Sequence, residues 1–257
     1  MNYIVGENRN QIQMIALEQL FAPDSRARVI DLFVDILPID ELGFKHVKLQ
    51  SEGRPPYNPA ALLKLYLYGY KHSIRSSRKL EHSCKVNVEL WWLLGGLIPS
   101  FRTIAYYSKN NAEAFRKVFR QFVLMLKDMG LIEGETIGID SFKIIERSEY
   151  QDVIDENNAR VIGNRNYYKL RQQIIEHQFG ILKRQWGFTY TLMKGKANVL
   201  SEVNIFMTIY NLTRCINIMG MDELKRRLRD FLPLVSLYMS LLLIKNEMQK
   251  KEFYLAI

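Results

Sequence analysis

The chain has 257 residues, of which 48% are hydrophobic, and this length and composition allow a substantial buried core and argue against a disordered chain. Its formal net charge of +9 favours a polyanionic partner, although basic proteins bind both nucleic acids and membrane surfaces. Cys84 and Cys215 are single cysteines without a CxxC pair, which argues against a zinc ribbon and against a disulfide-rich secreted scaffold.

Positive charge is concentrated in the N-terminal half of the chain. Between residues 54 and 120 there are twelve Lys or Arg residues against three acids, so this segment carries a local excess of +9 and the remainder nearly balances. Residues 1–10 are polar and indicate no secretory signal, and the apolar stretch 231–244 is too short to span a bilayer. We therefore expect a basic N-terminal surface that binds a polyanion, and no membrane insertion.

The first helices are predicted from the residues that start and stop them. Pro23-Asp24-Ser25 precedes an apolar pattern at helical spacing, which predicts a helix that ends before Pro38. Asn58 can cap a second helix and Pro59 can take its first position, so a helix is expected over Pro59–Lys71.

Two short helices are expected next, over 78–85 and 88–94. Serines before the first and Asn87 before the second supply N-caps, and a pair of glycines ends the second. Together with the helix over 59–71, they resemble a helix-turn-helix type of cluster. A start signal at Ser100 to Thr103 then leads into a long helical pattern that is expected to reach Met129.

The C-terminal half begins with a predicted β-strand. The β-branched run 136–139 leads to Asp140, which stands at the end of that strand. A strongly periodic helix is expected over 167–186, and it carries a second carboxylate, Glu176. A mostly apolar helix is expected over 199–219 and should be buried.

The strand and the periodic helix resemble two ends of one catalytic site. The helix resembles the Y–R–E–K signature of DDE transposases of bacterial insertion sequences, in the broad IS-four/IS-five-like group, through Tyr168, Arg171, Glu176 and Lys183. Four residues rather than three separate Arg171 from Glu176. Asp140 would match the family's first acid and Glu176 its last. The middle Asp has no counterpart, because residues 144–167 are too few for the strands and helix that carry it.

This resemblance implies metal-dependent DNA strand transfer. Such chemistry needs carboxylates that hold two divalent ions, one to activate the attacking oxygen and one to steady the leaving oxygen. Asp140 and Glu176 are therefore the expected catalytic residues and Mg²⁺ ligands, and Arg171 and Lys183 are expected DNA contacts. With the middle Asp missing, we expect an incomplete site and no DNA cleavage by this chain alone.

The N-terminal half is similar to the helical DNA-binding domain of the same family over roughly residues 28–125. The similarity is carried by Arg54-Pro55-Pro56-Tyr57, Arg75-Ser76-Ser77-Arg78-Lys79-Leu80-Glu81, Trp91-Trp92-Leu93-Leu94-Gly95-Gly96 and Phe101-Arg102-Thr103-Ile104. Arg75, Arg78 and Lys79 crowd a helix start, where the helix adds its own partial positive charge. These three residues and Arg102 are therefore expected to contact DNA phosphates.

Each assignment has a plainer alternative. An Asp after a short strand is commonly a turn or capping residue. Glu176 and Lys183 lie seven residues apart and also fit a solvated helix face, and the cluster over 75–79 also fits a solvated basic surface.

The sequence predicts a mainly α fold, with a helical N-terminal DNA-binding domain and a truncated remnant of an RNase H-like α/β catalytic domain. The expected segments are an N-terminal extension over 1–24, the DNA-binding domain over 25–130, the truncated remnant over 131–220 and a helical tail over 221–257.

We therefore expect a bacterial, cytoplasmic and nucleoid-associated transposase-family protein that binds double-stranded DNA at the terminal inverted repeats of its element. Homodimers, or mixed dimers with an intact transposase, are expected through apolar C-terminal helices. Two alternatives are a non-functional relic that folds only partially and a truncated transposase that inhibits an intact copy without catalysis. A membrane-associated basic protein is a third, based on the apolar stretch 231–244 and the basic run 225–229.

Overall fold

The computed structural model of the protein describes residues 14–45, 55–131, 163 and 180–231. These described residues are mainly helical and include no β-strand. The predicted strand that ends at Asp140 lies outside them, as does much of the predicted catalytic remnant. The mainly α fold class is thus confirmed, whereas the RNase H-like remnant stays a prediction.

The helices follow one another with short connections through most of the described chain. In chain order they are α1 Arg26–Asp35, α2 Pro59–Lys71, α3 Ser77–Val86, α4 Val88–Leu93, α5 Phe101–Asn110, α6 Ala112–Asp128 and α7 Lys196–Met219. A 3-10 turn, Leu17–Gln19, precedes α1, and a π-helical turn, Ile181–Gln185, precedes α7. Residues 221–231 are helical as well.

Three of these helices begin at the capping residues that the sequence predicts. Ser25 Oγ accepts a hydrogen bond from the Ala27 N–H at 3.1 Å, and Asn58 Oδ1 accepts one from the Ala60 N–H at 2.8 Å. Asn87 Oδ1 accepts one from Leu90 at the start of α4. A side-chain oxygen in this position satisfies one of the four N–H groups left unpaired at a helix start.

The single helix expected from Ser100 to Met129 is wrong, because the chain breaks at Asn111 into α5 and α6. Asn111 has non-helical backbone angles, φ −119° and ψ 28°, and is itself only 3% exposed. Its side-chain amide donates to the Tyr107 carbonyl at 2.8 Å, and its Oδ1 accepts from the Lys45 N–H at 2.7 Å. The bond to Tyr107 thus replaces the one that the Asn111 N–H would make to this carbonyl in an unbroken helix, and the bond from Lys45 ties the break to a distant segment.

The core forms around α2, which contacts α1, α4 and α7, while α6 packs against α7. An aromatic cluster joins the helices: Tyr107 and Phe115 each contact Tyr66, Phe44 and one another, with ring centroids 5.6–6.0 Å apart. Each fully buried aromatic or aliphatic side chain of this kind stabilises the fold by roughly 1.5–3 kcal/mol. Because α7 belongs to the same core as α1–α6, the described parts of the predicted segments 25–130 and 131–220 fold together.

The close approach of α2 and α3 depends on a glycine. A side-chain carbon at Gly69 would lie 2.8 Å from the Ile74 carbonyl oxygen and would overlap the Leu80 side chain. The absence of a side chain therefore lets the chain turn tightly from α2 into α3, and this turn carries Arg75.

The C-terminal described segment agrees with two predicted helix boundaries. The helical turn Ile181–Gln185 has Trp186 as its C-cap, and Gly187 has the positive φ of 65° that ends many helices. The helix predicted over 199–219 ends at Met219 as predicted, and it begins three residues earlier, at Lys196. In the part of the chain that the structure describes, no helix has both the length and the hydrophobicity needed to cross a membrane.

Candidate nucleic-acid interface

Two of the predicted DNA contacts, Arg78 and Arg102, meet at one aromatic ring. Arg78 lies in the first turn of α3 and Arg102 in the first turn of α5, and the two helices pack against each other. Their guanidinium carbons lie 5.3 Å and 5.8 Å from the ring centroid of Phe101. A cation within about 6 Å of an aromatic centroid is attracted to the ring. Phe101 therefore holds both guanidinium groups in one small region of the surface.

The first turn of α5 is fixed to α3 by a hydrogen bond from its backbone to a carboxylate side chain. The Phe101 N–H donates to Glu81 Oε2 at 2.9 Å, and the Lys85 ammonium donates to the other oxygen of Glu81 at 3.1 Å. The hydrogen bond from Phe101 and the ammonium of Lys85 lower the pKa of the Glu81 carboxyl. Glu81 therefore stays ionised and accepts a hydrogen bond from the first backbone N–H of α5.

The cations in the first turns of α3 and α5 keep their positive charge exposed to solvent. Arg78, Lys79 and Arg102 are exposed, and none of the three forms an ion pair with a carboxylate of the described residues. The acid closest in sequence, Glu81, is already engaged by Lys85. We call the group of Arg78, Lys79, Arg102 and Phe101 the α3–α5 basic surface.

Arg75, the fourth predicted contact in this half, has an internal position. Its side chain is 7% exposed, and its Nη2 lies 2.6 Å from Glu202 Oε1 on α7. Arg75 also donates to the Gly187 carbonyl at 3.1 Å and to the Tyr190 carbonyl. Through these contacts the Arg75 guanidinium joins the α2–α3 turn to α7 and to the segment that precedes α7. Arg75 is therefore buried and paired, whereas Arg78, Lys79 and Arg102 are exposed.

The carboxylate that holds Arg75 is fully buried and accepts several hydrogen bonds. The other oxygen of Glu202 accepts from the Leu192 N–H at 2.9 Å and the Met193 N–H at 3.3 Å, and the Tyr70 hydroxyl donates to Oε1 at 3.4 Å. Burial and the nearby Glu202 charge raise the pKa of Tyr70 well above its ordinary value, so the hydroxyl stays protonated and remains a donor. A buried charge is tolerated when it is paired and hydrogen-bonded in this way.

The remaining predicted site residues are mostly outside the described part of the chain. Lys183 is exposed on the π-helical turn Ile181–Gln185. Asp140, Arg171 and Glu176 lie outside the described residues, so the catalytic carboxylates and their Mg²⁺ stay a prediction. Within 14–45, 55–131 and 180–231, no three His, Cys, Asp or Glu side chains are grouped so that they could hold a metal ion.

Residues 15–110 match the family model described as Transposase domain (DUF772). The match supports a transposase-family protein. It spans α1 to α5 and ends at the last residue of α5, so the α3–α5 basic surface lies wholly inside it. It does not single out the DDE type among transposases. The search of curated proteins and the search of solved structures gave no match.

Sequence reasoning missed the roles of Phe101 and Glu202. Phe101 was part of a motif that resembles the transposase family, but nothing in its sequence context indicates that two arginines would converge on it. The burial of Glu202 could have been predicted, because it shares a helix face with Ile205, Phe206 and Ile209, all of which are buried. A lone carboxylate in such a face needs a buried cationic partner.

Proposed function

We propose that this protein is an insertion-sequence transposase of the DDE type, in the IS-four/IS-five-like group, that binds double-stranded DNA through the α3–α5 basic surface. The observation that carries this proposal is the convergence of Arg78 and Arg102 on Phe101, inside the segment that matches a transposase domain. Exposed guanidinium groups bind phosphate oxygens in bidentate geometry. Because the ring already restrains both groups, they lose less conformational freedom when they bind.

The position of these cations favours a nucleic acid over other anions. Arg78 and Arg102 each lie in the first turn of a ten-residue helix, where the unpaired N–H groups add partial positive charge. Lys79 adds a third exposed cation next to Arg78. A cluster of cations at two neighbouring helix starts can contact adjacent phosphates of a DNA strand, and phosphate contacts supply much of the affinity of proteins for DNA.

The terminal inverted repeats of the element are the proposed target, in the bacterial cytoplasm near the nucleoid. Asp140 and Glu176 are the proposed Mg²⁺ ligands of an incomplete strand-transfer site, so the protein binds element ends without cutting them unaided. Homodimers, or mixed dimers with an intact transposase, would then let the chain occupy ends and inhibit transposition. The alternative of a partly folded relic is less well supported, because α1–α7 share one buried core.

The test compares labelled duplexes that carry the element's ends with shuffled duplexes of the same composition, by fluorescence anisotropy between about 50 and 200 mM salt. We expect affinity for both to fall with salt and the preference for ends to persist. Weak, equal binding to both duplexes would contradict the proposal and favour a relic with a basic surface. Incubation with Mg²⁺ should leave the end duplex uncut, and cleavage would show that the catalytic site is complete.

A further inference from the structure

A second cationic feature lies beside the α3–α5 basic surface, in a cavity of about 410 Å³. Lys109, near the end of α5, lines one side of it. Lys194, just before α7, and Asn198, in the first turn of α7, line another side. Ser77 of α3 and the tyrosines at positions 66 and 70 also line it. The cavity is therefore lined both by residues of the segment that matches a transposase domain and by residues 192–198, far beyond that segment in sequence.

The lining of this cavity carries an excess of positive charge. Both lysines are exposed, and neither pairs with a carboxylate in the described ranges. The described lining contains no acid, and the carboxylate behind it, Glu202, is neutralised by Arg75. Arg75 also lines the cavity, and its Nε–H is buried without a hydrogen-bond partner among the described residues. An unmet donor and two lysines in the lining together make this cavity attractive to an anion.

We propose that this cavity binds a phosphate group, with Lys109 and Lys194 as the charged contacts. Ser77 adds a hydroxyl to the lining of the cavity, and the Asn198 amide, which donates one hydrogen to the Lys194 carbonyl at 3.1 Å, retains a second. A volume of this size accommodates a phosphate with its attached sugar. The phosphate can belong to a DNA backbone or to a free nucleotide, because both present the same anionic oxygens.

The place of the cavity favours the DNA backbone as the source. Arg102 and Lys109 lie seven residues apart on α5, which puts them on the same face about 10 Å apart along the axis. A strand that crosses the α3–α5 basic surface can therefore continue to the cavity, where Lys194 completes the contact from outside the matched segment 15–110. This DNA version of the inference rests on the proposed function, whereas binding of a free phosphate group does not.

The test uses the full chain with Lys109→Gln and Lys194→Gln combined, and Arg120→Gln with Lys127→Gln as the control that removes two exposed charges from α6. The first probes are inorganic phosphate and adenosine monophosphate, measured by isothermal titration calorimetry. The second probe is a duplex measured by fluorescence anisotropy over a salt series. Thermal unfolding of each variant verifies that it folds like the unsubstituted chain.

We expect the cavity variant, but not the control, to lose about tenfold or more in affinity for adenosine monophosphate. For this variant, the slope of log affinity for DNA against log salt should become shallower by about 1, since one phosphate contact is lost. A change only in the DNA slope identifies the backbone as the source, and a change only with the nucleotide identifies a free ligand. The phosphate site is overturned if the cavity variant equals the unsubstituted chain with every probe. If the unsubstituted chain binds the nucleotide through these lysines but binds no DNA, the proposed function fails and this site stands.

Discussion

Arg75 and Glu202 form a buried ion pair of 2.6 Å that joins the α2–α3 turn to α7. The two residues are 127 positions apart, and only Arg75 belongs to the segment that matches a transposase domain. The aromatic rings of Phe188, Tyr190 and Phe206 lie 5.0–5.5 Å from the same guanidinium. The helices that carry the α3–α5 basic surface are therefore held in part by a segment outside the match.

Loss of either partner of this pair should destabilise the fold strongly. Arg75→Met retains much of the side-chain volume but leaves Glu202 as a buried charge without a cation, so the free energy of unfolding should fall by about 3–5 kcal/mol. Urea unfolding measures this change. Lys85→Gln, which breaks the exposed pair with Glu81, is the control and should lower the free energy of unfolding far less than Arg75→Met does.

The double variant Arg75→Met with Glu202→Leu separates the cost of an unpaired charge from the value of the pair itself. Replacing both buried partners by apolar residues should restore much of the stability that Arg75→Met loses, because no charge is left uncompensated. A double variant that is less stable than Arg75→Met would contradict this account of the site.

Asn111 should contribute more to stability than its neighbour Asn110. Asn111→Ala removes the bonds to Lys45 and Tyr107, of which the bond to the Tyr107 carbonyl is buried and the bond from the Lys45 N–H is partly buried, so the free energy of unfolding should fall by about 1–3 kcal/mol. Within the described part of the chain, Asn110 donates to the Tyr106 carbonyl at the surface, and Asn110→Ala should change the free energy of unfolding by less than about 0.5 kcal/mol. Equal effects of the two substitutions in thermal unfolding would argue against a structural role for the break.

The cysteines should react slowly with thiol reagents while the protein is folded. Burial raises the pKa of Cys84 and of Cys215 to about 11, and the thiolate is the reactive form. Alkylation by iodoacetamide should therefore be slow at pH 8 and should accelerate as pH rises toward 11. In denaturant both thiols should react quickly at pH 8, and equally rapid labelling of the folded chain would contradict their burial.

The same shifts predict a loss of stability in alkaline solution. The folded state holds the two thiol protons more tightly than the unfolded state, so their contribution is fully present below about pH 8.5 and is lost as pH rises through 11. Cys84→Ala with Cys215→Ala should remove this part of the pH dependence of the urea midpoint. An unchanged alkaline slope in the double variant would assign the effect to other groups, such as the buried tyrosines.

Phe101 should affect the affinity for DNA without changing the number of phosphate contacts. Phe101→Leu removes the ring that restrains Arg78 and Arg102 but leaves their charges in place. Affinity should fall by roughly two- to fivefold, in line with about 0.5–1 kcal/mol for an exposed cation–ring contact, while the salt dependence stays the same. A shallower salt dependence in this variant would mean that the ring determines which phosphates are contacted.

Local chemistry made several helix boundaries predictable. Ser25, Asn58 and Asn87 cap their helices through bonds to residues two or three positions away, so the signal lies within a few residues of sequence. The break at Asn111 depends on a bond to Lys45, 66 positions earlier, and a local pattern of apolar residues cannot reveal it.

The basic cluster shows the same division between local and distant causes. Arg75 and Arg78 have similar neighbours in sequence, and both were predicted to contact DNA. Glu202, far along the chain, draws Arg75 into the interior, while Phe101 keeps Arg78 at the surface. The existence of a basic surface could therefore be predicted, whereas the assignment of each cation to the surface or to the interior could not.

The most direct test of the DNA-binding surface combines Arg78→Gln with Arg102→Gln and measures affinity for an element-end duplex over a salt series. Arg120→Gln with Lys127→Gln on α6 removes the same charge elsewhere and is the control. If the two arginines contact phosphates, the slope of log affinity against log salt should become shallower by about 2 in the first variant and remain unchanged in the control. The same slope and affinity in the Arg78 and Arg102 variant as in the unsubstituted chain would contradict the account.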